Sequence, residues 1–329
     1  MSELGPREAS VECPPMPPPR TLFWTHLDSY EKCPQKCLWS AGWGGIDLGA
    51  GPGKAKPKPN DKSRHHAVMG IVIQAVLEDL YNQYLWKHRQ GLQTRLTQLT
   101  REKLSATCAR SYIDWHQAPS YEEMEQICVA GVLGYLKTMK GHRLLGQYAR
   151  SEVELFGHAA SWLPLGGRAD FVIRRDDTGI TLLDGKNSET KMKYVDPDQL
   201  RWYALCFVLS YHQLPQRLGF VWYRYPFDEQ TGESGVDWVE FTKRDLAELV
   251  ERAKKVRRGQ EAEKFDASPA YKVCRFCDYE SVCPQRQEAK AKNVAKRKRE
   301  NPELYVSGDD PLGIVEFGFG GDSAVLRKG

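Results

Sequence analysis

The sequence predicts an α/β domain built as a mixed sheet flanked by helices. Three observations predict it. Helical periodicity dominates residues 66–141. Three strand-like runs then follow one another closely, at about 148–156, 166–174 and 179–186. After them a helix, two more strands and another helix alternate to about residue 258. The 329 residues are enough for one large domain or two ordinary ones.

Taken in order, residues 1–20 are proline-rich and poor in apolar side chains, and read as a disordered lead-in. Residues 22–42 carry Phe23, Trp24, Leu27, Tyr30, Leu38 and Trp39 and read as a short docked helix. A glycine-, proline- and lysine-rich loop follows at 43–64. Helices are predicted at about 66–88, 92–110 and 119–141, the last with Met124, Ile127, Cys128, Val132 and Leu136 at helical spacing. Asp176-Asp177-Thr178-Gly179 makes a turn between the second and third strands. Pro197 suits the first turn of a helix running to about 210. Leu218–Tyr225 and Val236–Phe241 read as strands, and Thr242 caps the next helix. Residues 286–329 combine a basic run (Arg286, Lys290, Lys292, Lys296, Arg297, Lys298, Arg299) with a loose glycine-rich tail.

Composition excludes several classes. No apolar run approaches the roughly 20 residues of a membrane helix, and the N-terminus lacks a signal-peptide core. A cytoplasmic protein with no membrane partner is therefore expected. The net charge of +4 permits nucleic-acid binding without arguing for it. No G-x4-G-K-[ST] motif occurs, so no helicase motor is expected within the chain.

The chemistry-bearing pattern is Gly167-Arg168-Ala169-Asp170, followed after a hairpin by Leu182-Leu183-Asp184-Gly185-Lys186. On adjacent strands these runs bring two carboxylates and an ammonium group together. Asp170 and Asp184 are hard oxygen donors for a divalent cation. Lys186, two residues from Asp184, shares its strand face and can orient a water and offset phosphate charge. The backbone carbonyl of Gly185 can join the metal shell. An aspartate and a lysine closing the apolar run Ile180–Leu183 are costly to bury unless they are paired or bind a metal. Gln199 and Tyr203, four apart, share one face of the helix that begins at Pro197. Glu152 or Glu154 on the preceding strand is a further acidic candidate.

In these residues the chain resembles the PD-(D/E)XK nuclease superfamily, in its RecB-like branch. That branch includes the nuclease domains of bacterial recombination helicase–nucleases and the iron–sulfur CRISPR-associated exonucleases. Gly167-x-Ala169-Asp170, Asp184-Gly185-Lys186 and Gln199-x3-Tyr203 carry the resemblance, in that order, and it covers about residues 21–285. It implies a restriction-endonuclease-like mixed sheet with a helical insertion at about 66–141. It implies Mg2+ or Mn2+ on Asp170 and Asp184, Lys186 as the catalytic lysine, and Gln199 and Tyr203 as support. The family's early-helix histidine is absent: Gln74 of Gly70-Ile71-Val72-Ile73-Gln74 takes its place, and its amide oxygen is a weaker ligand. Glu78, one turn later, is an alternative; His65 and His66 lie about two turns earlier.

Nine cysteines in a reducing compartment point to metal or free thiols. Cys274, Cys277 and Cys283 form C-x2-C-x5-C, and both Cys33 and Cys283 precede proline. Four thiolates suit a four-iron four-sulfur (4Fe-4S) cluster or tetrahedral zinc. The resemblance selects Cys33, Cys274, Cys277 and Cys283 and favours the cluster, with Cys37 as a competing early ligand. Such a set would pin together segments about 240 residues apart.

The resulting expectation is a metal-dependent DNA exonuclease acting without sequence preference on single-stranded or frayed ends. Recombination, repair, phage DNA processing or CRISPR adaptation are its settings, with a helicase, recombinase or CRISPR-adaptation protein as partner. The alternative is a non-cleaving DNA-binding or assembly module. The basic run 286–299, the loop 54–64, and the rings of Trp202, Trp222, Tyr223 and Tyr225 are the DNA-contact candidates, although aromatic residues in strands usually serve the core.

Overall fold

The computed structural model describes residues 21–41 and 65–300, apart from 89, 117, 146–147, 176–178, 192–194, 275–276 and 282. The proline-rich lead-in, the 54–64 loop, most of the turn after Arg175 and the glycine-rich tail lie outside the described residues. The chain divides into two units, Met1–Glu280 and Ser281–Gly329. Among the described residues no helix is long and apolar enough to cross a membrane.

The first unit begins with β1 (Leu22–Phe23), α1 (Trp24–Lys32) and α2 (Pro34–Ala41). One helix was expected here. Two form because Cys33 precedes Pro34 and is extended, at φ −163° and ψ 104°, which ends α1. Helices α3 (His65–Asn82), α4 (Leu92–Cys108) and α5 (Tyr121–Gly141) follow. In α5 a reciprocal cap, Ser120 with Glu123, fixes the start. The strands β2 (Tyr148–Ala160), β3 (Leu163–Arg175) and β4 (Gly179–Lys186) come next, then α6 (Pro197–Tyr211), β5 (Arg217–Trp222), β6 (Val236–Val239), α7 (Lys243–Glu261) and the short α8 (Tyr271–Cys274). Asp196 caps α6 with Pro197 in its first turn, and Thr242 with Asp245 caps α7.

The sheet runs β1-β3-β4-β5-β6, with β2 also paired to β3. It is mixed: β1 and β3 are parallel, as are β4 and β5, and the other pairs are antiparallel. Because β2 occupies one edge of β3 along most of its length, β1 and β4 share the other edge. The strand β1 takes Leu165 and Gly166, and β4 takes Phe171–Arg175. Residues 167–170 fall in the interval between them. The β4–β5 crossover is α6, which lays that helix across the sheet beside β4.

Two apolar layers bury the sheet. Helices α3, α4 and α5 cover Phe171, Ile173, Leu183 and Val221 on one face. Helices α1, α6 and α7 cover Leu155, Leu165, Leu182, Leu218 and Phe220 on the other. The second unit contains α9 (Pro284–Glu300), which carries the basic run; there Lys292 pairs with Glu288 at 2.6 Å.

Candidate active site

The trio assembles where β4 leaves β3. The Gly185 amide donates to Asp170 Oδ2 at 2.8 Å, so a carboxylate takes over where the backbone ladder stops. Asp184 is 3% exposed, and its Oδ2 lies 2.5 Å from Lys186 Nζ. Both side chains project toward α6, as their spacing of two requires. Gln199, two residues into that helix, bridges them. Its Oε1 accepts from Lys186 Nζ at 3.1 Å, and its Nε2 donates to Asp184 Oδ1 at 3.1 Å and to the Tyr203 hydroxyl at 3.0 Å. These partners dictate the amide's orientation. Tyr203, one turn later, lies over Gly167, where an added Cβ would stand 3.1 Å from its ring. Asp170, Asp184, Lys186, Gln199 and Tyr203 are thus brought together.

Gly185 is a space requirement. A Cβ there would fall 1.8 Å from the hydroxyl of Tyr223, which sits on the α3 face of the sheet. The same hydroxyl donates to Gln74 Oε1 at 2.9 Å, and Gln74 Nε2 donates to Glu152 Oε1 at 2.7 Å. Gln74 therefore reaches the site's α3 side through partners. Tyr223, expected as a ring for base stacking, instead turns its hydroxyl in beneath the site. Its signal was position: it directly follows β5, the strand beside β4.

The electrostatics are those of crowded carboxylates. Burial, and then the charge of Asp184, push the Asp170 carboxyl up to about 8, against the Gly185 hydrogen bond and Lys186. Burial also raises Asp184, with Lys186 opposing. Burial and nearby Asp184 hold the Tyr203 hydroxyl well above its usual range, so it stays neutral. Two adjacent acidic groups, one ammonium and hard oxygen donors suit a divalent cation chemically. Among the described residues, however, no three His, Cys, Asp or Glu side chains already stand in a ligand arrangement.

The cysteines among the described residues form no such set either. In the first unit, Cys33 ends α1 and its Sγ accepts from the Ser268 amide at 3.5 Å. The Cys277 amide donates to the Cys274 carbonyl at 3.0 Å. Burial raises the Cys277 thiol, Lys36 opposes this, and Cys33 and Cys274 both lie near enough to add to the rise. The Tyr279 hydroxyl donates to the Trp39 carbonyl at 2.9 Å, which joins this segment to α2. Cys37 turns inward instead: its thiol donates to the His26 carbonyl at 3.4 Å, and burial pushes it up to about 12. Cys283 belongs to the second unit, with its Sγ 3.7 Å from Gln285 Oε1.

The proposed stacking rings are mostly core. Trp202 is fully buried and donates to the Gly166 carbonyl at 2.9 Å. Trp222 is buried with its indole on Asp237, and Tyr223 is 2% exposed. Only Tyr225 is partly accessible, and its hydroxyl bonds the Glu189 carbonyl.

The family model described as "PD-(D/E)XK nuclease superfamily" matches residues 24–284. No curated protein matches the chain. Among solved structures it is similar to the crystal structure of SSO0001, at 14% identity over 67% of this chain and 95% of that one, with a TM-score of 0.30.

Proposed function

The chain belongs to the PD-(D/E)XK nuclease superfamily, and from that premise we propose that it is a divalent-metal-dependent deoxyribonuclease, an exonuclease acting on single-stranded or frayed DNA ends. The observation that carries this reading is the clamped ammonium: Lys186 Nζ held between Asp184 and Gln199, beside Asp170. Asp170, Asp184 and the Gly185 carbonyl would hold Mg2+ or Mn2+. When bound, that ion supplies Lewis-acid polarisation of the phosphate and a more acidic water.

The chain's own groups do the rest. Lys186 presents its ammonium to the attacking water and to the non-bridging phosphate oxygens, where negative charge grows. Gln199 fixes that ammonium, so little reorganisation is needed when charge develops. Neutral Tyr203 fixes Gln199. The water oxygen bonds to phosphorus and releases a proton to bulk water, and the bond to the 3′-oxygen breaks. The 3′-oxygen takes up a proton, leaving a 3′-hydroxyl and a 5′-phosphate. Phosphate contacts alone confer no base preference.

The proposal extends to the thiols. The set of Cys33, Cys274, Cys277 and Cys283 rests on sequence spacing and the C-P settings, with Cys33 and Cys274 both near enough to Cys277 to raise its thiol. A 4Fe-4S cluster is the proposed occupant and zinc the alternative. Violet-region absorbance with about four irons per chain supports the cluster; one zinc and no colour overturns it.

A second reading, a non-cleaving DNA-binding module, is favoured by one observation: both polar ends of the Gln74 amide are already engaged, by Tyr223 and by Glu152. DNA labelled at each end in turn, incubated with Mn2+ or with chelator, separates the two readings. Metal-dependent shortening from an end supports the exonuclease and gives its polarity. Binding without cleavage in both conditions supports the second reading.

A further inference from the structure

Glu152 sits outside the trio, yet the fold directs it there. In β2 it lies between Ser151, paired with Phe171, and Val153, paired with Ala169, so Asp170 is the residue across from it. One step beyond the last β3–β4 pair, Asp170 in turn faces Asp184. Three carboxylates therefore occupy one row across three neighbouring strands. Like charges placed opposite one another destabilise a sheet.

Glu152 is also the only non-glycine residue within a described strand that has a left-handed backbone, with φ at 51°. The strands change phase at this point. Val153, Leu155 and Ala169 pack in the α1–α6–α7 layer, whereas Ala149, Phe171 and Ile173 pack in the α3–α5 layer. Such a residue costs on the order of 1 kcal/mol or more and re-aims its side chain.

Both carboxylate oxygens are held. Gln74 Nε2 donates to Oε1 at 2.7 Å, and Arg168 Nε pairs with Oε2 at 2.7 Å. The Tyr223 hydroxyl, by donating to Gln74 Oε1, turns the NH2 end of that amide toward Glu152. The Tyr223 hydroxyl itself fills the space at Gly185, between Asp184 and Lys186. Asp170 makes no ion pair among the described residues. Backbone strain and a polar chain thus aim a third carboxylate at two that repel it, and a multivalent cation makes that arrangement favourable.

We propose that Glu152 is a third carboxylate ligand of the cation site and that Gln74 is the positioning residue that orients it. The inference rests on reading Asp170 and Asp184 as a divalent-cation site. The Arg168 side chain is 65% exposed, so its ion pair with Glu152 yields at little cost when the carboxylate turns to a cation.

The test is Mn2+ affinity of the full-length chain, read from the resonance of free Mn2+ and independent of cleavage. Glu152→Gln, nearly isosteric, is expected to weaken Mn2+ binding at least tenfold. Glu152→Asp, which keeps the charge and shortens the reach, is expected to weaken it to a similar degree and covers the case in which the glutamine variant does not fold. Gln74→Ala is expected to weaken it severalfold. Asp184→Asn is the reference and is expected to abolish binding. Wild-type affinity in the Glu152 variants, with loss in Asp184→Asn, overturns this inference and leaves the two-aspartate site standing. Wild-type affinity in Asp184→Asn overturns both.

Discussion

Gln199 carries Asp184 and Lys186 on its two amide ends, 3.1 Å from each, although 15 and 13 residues separate it from them. The helix–strand contact beside β4 therefore sets the distance between the buried carboxylate and the ammonium. Gln199→Ala removes the clamp and leaves Asp184 with Lys186 alone. We expect DNA cleavage to fall about 10- to 100-fold with the fold retained, as for other losses of a preorganising hydrogen bond. Single-turnover cleavage alongside circular dichroism checks this.

The crowded carboxylates make stability depend on pH, and the sign follows from Asp170. Its carboxyl ionises near 3.8 when unfolded and is raised to about 8 when folded. Between those values the folded chain keeps a proton that the unfolded chain has released. The stability that Asp170 contributes in chelator is therefore fully present below about pH 4 and is lost as pH rises to about 8. The raised Asp184 acts in the same direction. Melting temperatures in chelator across that window check the slope, and Asp170→Asn should flatten it. Cation binding must expel the proton, so Mn2+ affinity should rise with pH over the same window.

Gly185→Ala tests the packing under the site. Its Cβ would overlap the Tyr223 hydroxyl at 1.8 Å and the ring carbon bearing that hydroxyl at 2.4 Å. The tyrosine is buried and cannot swing aside. We expect a loss of roughly 1–3 kcal/mol, the cost of overpacking, measured by denaturant unfolding. Gly70→Ala is the control, because nothing stands within 4 Å of the Cβ it adds.

The strands and the trio were legible because their signals are local. The strand from Gly179 to Lys186 has the bounds the sequence suggested, and the Thr242 cap and the Pro197 helix start follow from single-residue rules. The i, i+4 spacing put Gln199 and Tyr203 on one helix face, and their place at the site was what the family resemblance implied. The rest depends on contacts between distant segments. Leu22–Phe23 form a strand only because β3 offers them an edge beyond the reach of β4. The left-handed Glu152 leaves no mark in a run of alternating residues. The Tyr223–Gln74 bond joins residues 149 apart, and no periodicity encodes it. Trp202 and Trp222 looked available for base stacking because composition does not say which face of a helix or strand is covered.

Cleavage of end-labelled single- and double-stranded DNA with Mn2+ by the wild-type chain and by Lys186→Ala is the most direct test of Lys186 as the catalytic lysine. We expect the wild type to cut and the variant, still folded and still binding Mn2+, to be at least about 100-fold slower, the scale for losing a group that stabilises developing charge. Cutting by Lys186→Ala at the wild-type rate would contradict that role.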